Sequence, residues 1–170
     1  MDVLFAPWRY SYIKATVEKG LETCVFCDAP QRSDDDALIL YRGSHSYVIM
    51  NLYPYNAGHV MVCPNQHIGD FTALDRETLH EISDLTQLAV KAINKALKPH
   101  GFNLGYNLGR AAGAGLEEHI HNHIVPRWNG DTNFMPVIGE VKVISQDLKE
   151  IYHKIKKAIE EIQKGGDNAE

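Results

Sequence analysis

Three histidines stand at alternate positions in the segment Glu118-His119-Ile120-His121-Asn122-His123-Ile124-Val125-Pro126. Strand side chains alternate between faces, so His119, His121 and His123 are predicted to project together while Ile120 and Ile124 face the other way. Same-face imidazoles on a strand lie about 6.5–7 Å apart, twice the strand rise. A Gly/Ala-rich stretch, GRAAGAG at 109–115, comes just before them. Three chemistries fit such a row. It could be a solvated polar face. It could bind one metal through all three rings, as zinc is held in some enzymes, but Glu117 and Glu118 precede the strand and only one of them can share the His face as a base. Or one imidazole attacks phosphorus while its neighbours orient it and meet the phosphate. A neutral imidazole is a competent nucleophile because its pKa is about 6.5. Nearby glycines let backbone N–H groups approach phosphate oxygens. The third reading uses the row and the loop together, and is preferred.

A second candidate group is Cys24-Val25-Phe26-Cys27. Taken alone, C-x-x-C is ambiguous between zinc, redox chemistry and coincidence; a thioredoxin-type role expects a βαβ context that this chain lacks. Cys63 lies in an apolar run and reads as core. His45, His80, His100 and His153 read as surface or capping residues.

The elements that must position these groups follow from periodicity. Residues 37–41, 46–51 (SYVIMN) and 59–63 (HVMVC) read as short strands, after a polar acidic turn or loop at 31–36 (QRSDDD). Residues 72–98 switch to helical period, with Leu79, Ile82, Leu85, Leu88 or Ala89, Ala92 or Ile93, and Ala96 or Leu97 on one stripe. Asp75 is the expected cap, and Pro99 with Gly101 the stop. Residues 102–108 and 119–125 read as strands. A last amphipathic helix is expected from about 145 to 163, with Leu148, Ile151, Ile155, Ala158 and Ile162 inward, followed by a frayed tail at 165–170. Consecutive strands on short turns, two helices and no βαβ alternation predict an antiparallel α+β fold.

The chain has 170 residues, with 44% hydrophobic and 23% charged, which predicts one domain over 1–170 with a full core. Lys and Arg total 17 against 22 Asp and Glu, a balance that argues against bulk nucleic-acid binding. No apolar run approaches the roughly 20 residues of a membrane span. Pro7, Arg9 and Lys14 interrupt the opening stretch where a signal peptide would need apolar residues. Three cysteines, an odd number, suit a reduced compartment, and a cytoplasmic protein is expected.

The row His119-Ile120-His121-Asn122-His123-Ile124-Val125 resembles the signature of the histidine triad (HIT) nucleotide hydrolases and transferases, His-φ-His-φ-His-φ-φ with φ apolar; only Asn122 departs from it. The resemblance extends upstream to Asn51, Gly58-His59 and the strand after them. Downstream it takes in Pro126-Arg127-Trp128 and Gly130-Asp131-x-Asn133-Phe134, as in the branch of the fragile histidine triad hydrolases and diadenosine tetraphosphate phosphorylases. It covers about 24–138. It implies a sheet of about five strands with a long central helix and a C-terminal helix. It further implies a homodimer, and cleavage of a dinucleoside polyphosphate such as diadenosine tetraphosphate through a covalent nucleotidyl-His121 intermediate. Phosphoramidase, sugar-1-phosphate nucleotidyltransferase and nucleotide-binding regulatory roles are the alternatives. By the same resemblance His123 stabilises the phosphate, Asn51 meets the ribose hydroxyls, and His59 either closes the site or is a buried structural residue. A Gln of the fragile-histidine-triad branch is replaced by Leu108, so leaving-group handling would fall to Asn107, Arg110 or the loop backbone, including Gly109 and Gly115. The family also implies a structural zinc on Cys24, Cys27, His67 and His119, which would make His119 a brace and not a nucleophile.

Overall fold

The computed structural model describes residues 24–131 and 147–166. The family-like residues Asn133 and Phe134, the expected start of the last helix at 145 and residues 167–170 of the expected tail lie outside them; residues 165 and 166, expected in that tail, close the last helix. In chain order the elements are α1 (Val25–Asp28), α2 (Asp34–Ala37), β1 (Ile39–Arg42), β2 (Ser46–Met50), β3 (Val60–Pro64), α3 (Arg76–Leu97), β4 (Gly101–Tyr106), β5 (Asn122–Arg127) and α4 (Leu148–Gly166). The five strands form one sheet in the order β1-β2-β3-β5-β4, with every neighbouring pair antiparallel. This is the expected α+β architecture.

Both faces of the central strands are covered, which is why their sequences are continuously apolar instead of alternating. Val48, Met50, Val60, Val62 and Ile124 pack on one face against Ile82, Leu85, Ala89 and Ile93 of α3 and Ile151, Ile155 and Ile159 of α4. Each such fully buried aliphatic side chain contributes about 1.5–3 kcal/mol. Ile39, Tyr47, Ile49, Met61 and Cys63 line the opposite face with Phe26, Ala29 and Ala37. Helix α3 starts where Asp75 accepts from Thr78 N at 2.7 Å and ends in a left-handed Lys98.

The acidic turn or loop expected at 31–36 takes a definite form: Asp34–Ala37 makes one helical turn capped by Ser33, whose Oγ accepts from Asp36 N at 3.3 Å. Leu38 follows in the left-handed conformation (φ 57°) and turns the chain into β1. The triad strand starts later than expected, at Asn122. Its partner β3 ends at Pro64, which has no N–H to extend the ladder. Ile120 N bonds instead to Ile68 O at 2.7 Å. The alternation survives in this extended approach: Ile120 joins the core beneath α3, and Asn122 Nδ2 donates to Thr86 Oγ1 of that helix at 2.9 Å.

Candidate functional site

Residues opposite one another in the sheet form a row across it: Ile39, Ile49, Met61, His123 and Gly105. Over this row lies a cavity of about 320 Å³. The sheet supplies its floor, α1 with Phe26 and the loop with Gly113, Gly115 and Leu116 its walls; His121, His123, Asn51 and Asn107 are polar groups at one end, and Asp28, Arg32 and Asp36 also line it. The approach to the histidines is fixed by Gly69, where a Cβ would come within 2.4 Å of the Glu117 carbonyl oxygen, so only glycine lets these segments touch.

His121 is 8% exposed, with the Phe26 ring 4.8 Å away. Its Nδ1 lies 3.0 Å from the His119 carbonyl. A carbonyl only accepts, so Nδ1 carries the proton and Nε2 keeps its lone pair. Burial lowers the pKa of the ring, outweighing the opposite pull of that carbonyl, so His121 is neutral at pH 7. The rings of His121 and His123 are 4.7 Å apart, closer than strand spacing alone gives, because both lean into the same cavity.

His123 receives its orientation from behind. His59 is completely buried, and its Nδ1 accepts from Tyr55 N at 3.0 Å and lies 3.3 Å from Asn51 Nδ2. The amide of Asn51 is itself oriented by Tyr53 N, which donates to Asn51 Oδ1 at 2.8 Å. The His59 proton therefore sits on Nε2 and is donated to His123 Nδ1 at 3.0 Å. That leaves the His123 proton on Nε2; Asn107 Nδ2, 3.5 Å away, is a donor as well, so the two groups do not bond each other and both offer protons to the cavity. The cavity thus holds a nucleophilic ring nitrogen on His121 and a hydrogen-bond donor on its neighbour. Together they suit attack on an electrophile whose charge grows on an adjacent oxygen.

His119 turns away from the cavity. Its Nε2 donates to Pro64 O at 2.9 Å, and its Nδ1 lies 3.4 Å from Cys24 Sγ and 3.5 Å from Cys27 Sγ. His67 Nδ1 is 3.3 Å from Cys27 Sγ, and the four ligand atoms all lie within 4.8 Å of one another. A tetrahedral zinc with bonds of about 2.0–2.3 Å has ligand-to-ligand edges of roughly 3.3–3.8 Å, so the donor set and spacing fit such an ion. Burial and the adjoining Cys24 push the Cys27 thiol up; two thiolates side by side need a cation. This group could hold a metal.

A family model described as the HIT domain matches residues 32–130. The chain belongs to the HIT family. It is similar to a protein of Mycobacterium tuberculosis (strain CDC 1551 / Oshkosh) named AP-4-A phosphorylase, 41% identical over 153 residues, 86% of this chain and 78% of the relative. Among solved structures it resembles a Zn-bound histidine triad family protein from Mycobacterium smegmatis, with TM-score 0.69 and 27% identity over 84% of this chain and 97% of the other. It also resembles a hypothetical histidine triad nucleotide-binding protein from Sulfolobus tokodaii, with TM-score 0.69 and 26% identity over 86% and 99%.

Set on this HIT fold, the residues singled out from the sequence divide into three groups. His121, His123, Asn51, Asn107 and Gly115 line the cavity. Cys24, Cys27, His67 and His119 form the metal-type cluster. His59 stands behind His123, and Gly109 does not line the cavity but turns the loop with φ 77°. Leu108, the departure from the branch pattern, is half exposed and outside the lining; Arg110 also lies outside it, its side chain almost fully exposed and paired with Glu117 at 2.6 Å. Residues that sequence reasoning missed are Phe26, packed on His121, and Tyr55, whose ring lies 4.6 Å from His59 and 5.5 Å from His123. Their placement between Cys24 and Cys27 and within Tyr53-Pro54-Tyr55 was the available signal. No helix among the described residues is long and apolar enough to cross a membrane.

Proposed function

We propose that this chain is a nucleotidyl hydrolase or transferase that attacks the α-phosphate of a dinucleoside polyphosphate of the diadenosine tetraphosphate type. The observation that carries this is the His121 Nδ1 to His119 carbonyl hydrogen bond, which leaves a lone pair on Nε2 in a cavity sized for one nucleotide. The name of the Mycobacterium tuberculosis relative supports the substrate class. His121 Nε2 forms a bond to phosphorus as the bond to the bridging oxygen breaks, and the electron pair departs with the leaving nucleotide. The charge that the ring gains is met by the His119 carbonyl. His123 Nε2–H and the backbone around Gly113 and Gly115 meet the phosphoryl oxygens. Asn51 serves the ribose. Water or inorganic phosphate then attacks the phosphorus, the nitrogen–phosphorus bond breaks, and His121 returns to its neutral form.

The cysteine and histidine cluster is read as a structural zinc site, held by Cys24, Cys27, His67 and His119; bound there, zinc supplies a cross-link between the segment before α1 and the triad. The Zn-bound relative supports this. The whole chain is read as one domain, working as a homodimer. β4 pairs with β5 alone among the described strands, and Leu104 on it is 53% exposed, which supports a sheet that continues into a second copy. Free thiols suit the cytoplasm.

Diadenosine tetraphosphate turnover, followed with and without inorganic phosphate, tests the reading and separates hydrolysis from phosphorolysis. His121→Asn should lose at least about 10³-fold in turnover while keeping nucleotide binding. Mapping of the acid-labile, alkali-stable adduct in enzyme quenched at alkaline pH should place it on His121; an adduct elsewhere, or normal turnover in the variant, overturns the assignment.

A further inference from the structure

The row Ile39–Ile49–Met61–His123 is also a ruler. Adjacent strands are about 4.8 Å apart, so three steps from His123 to β1 span about 14 Å. The cavity runs the same way, from His121 and His123 to Arg32, Asp36 and Ala37 just before β1. A nucleotide with its α-phosphate at the histidines lays its base over Met61 and Ile49. Its far edge then meets the Arg32–Asp36 end.

That end is polar and held in place. Ser33 Oγ donates to Asp36 Oδ2 at 2.6 Å, fixing the carboxylate. Arg32 Nη2 donates to the Asp36 backbone carbonyl at 3.0 Å, which holds the guanidinium near that residue without pairing it to the carboxylate. The segment is anchored again by Arg42, which donates to Asp34 Oδ1 (2.8 Å), Pro30 O (2.9 Å) and Arg32 O (3.1 Å). An acceptor-only carboxylate next to a donor-only guanidinium matches a base edge on which an exocyclic amine adjoins a ring nitrogen acceptor.

Resting on the proposed nucleotide chemistry, we infer that Arg32 and Asp36 read the base: Asp36 accepts from the exocyclic amine and Arg32 donates to the neighbouring ring nitrogen. The site accordingly prefers adenine over hypoxanthine, in which a carbonyl replaces the amine and would face the Asp36 carboxylate.

The test compares kcat/KM for diadenosine and diinosine tetraphosphates. The parent should favour the adenine substrate by about tenfold or more, because an unpaired polar group at a reading site weakens the wrong substrate. Asp36→Asn, whose amide can turn to accept or donate, should bring the ratio close to one. Arg32→Met should raise KM on the adenine substrate with kcat little changed. Ser33→Ala removes the cap but not the carboxylate and should keep the preference. Calorimetric binding of AMP and IMP to His121→Asn reads the same ratio without turnover. If the parent cleaves both substrates equally, or Asp36→Asn keeps the full preference in both assays, the inference falls while the nucleotide chemistry stands. If no dinucleotide is cleaved and no adduct forms, the chemistry falls, and the AMP-to-IMP ratio still decides the base reading.

Discussion

His59 Nε2 and His123 Nδ1 stand 3.0 Å apart, and the two backbone and side-chain groups behind His59 decide which of them holds the proton. A tautomer at the cavity is thus set by Tyr55 N–H, which is aimed at His59 Nδ1. The chain Tyr55–His59–His123 turns the third triad histidine into a donor at Nε2.

His59→Phe keeps the bulk of the ring and removes that donor. His123 is then free to adopt the other tautomer, with an acceptor facing the phosphate. Turnover should fall by about 100-fold, the lower end of the range for a lost acid–base group. Nucleotide affinity should change much less. Measuring kcat beside a calorimetric Kd separates the two, and an unchanged kcat would remove His59 from the relay.

Cys24→Ser should lower bound zinc below the parental stoichiometry, as read by elemental analysis. Because ligand binding to such a site is coupled to folding, stability should drop by several kcal/mol in denaturant unfolding. Equal metal content in the variant and the parent would dismiss the cluster as a zinc site.

Tyr152 is buried on α4, and its hydroxyl donates to Asp35 Oδ1 at 2.8 Å while accepting from Lys156 Nζ at 2.6 Å. Asp35 belongs to α2, whose Asp36 and Ala37 line the cavity. Tyr152→Phe should destabilise the fold by about 1 kcal/mol, lowering Tm by roughly 2–4 °C. It should also raise KM with kcat nearly unchanged, because α2 is far from the histidines. A rise in KM absent from Tyr152→Phe would make the contact purely structural.

Asp131 Oδ2 accepts from Asn56 Nδ2 at 2.6 Å, Trp128 N at 2.8 Å and Arg127 Nε at 3.1 Å. Partial burial raises its pKa, but these donors outweigh that and hold the carboxyl below its usual range. The unfolded carboxyl, near pKa 3.9, binds protons more readily than the folded one. Its contribution to stability is therefore complete above about pH 4 and is lost as pH falls through the lower folded value. Denaturant midpoints measured from pH 6 down to pH 2 should fall less steeply at the acid end for Asp131→Asn than for the parent.

Much of the fold was legible in the sequence because its signals are local. The α3 boundaries follow from Asp75 and from Lys98-Pro99, and backbone capping depends on near neighbours alone. The strands before α3 fall within two residues of their expected bounds, since apolar runs between turn residues have few other uses. At α2 the sequence left turn and loop open: a run of three aspartates reads as solvated until Ser33 caps it and Tyr152, 117 residues away, takes hold of Asp35.

By itself the sequence determined the row of three histidines, the alternation that separates it from Ile120 and Ile124, and the α+β order of elements, because side-chain direction along extended chain is a period-two property of the backbone. Only the tertiary structure decided the division of labour within that row. His119 turns to the cysteines, His121 is tautomer-fixed by the His119 carbonyl, and His123 is governed by His59. Identical side chains acquire different protonation from whichever group, near or 64 residues distant, packing brings to their second nitrogen.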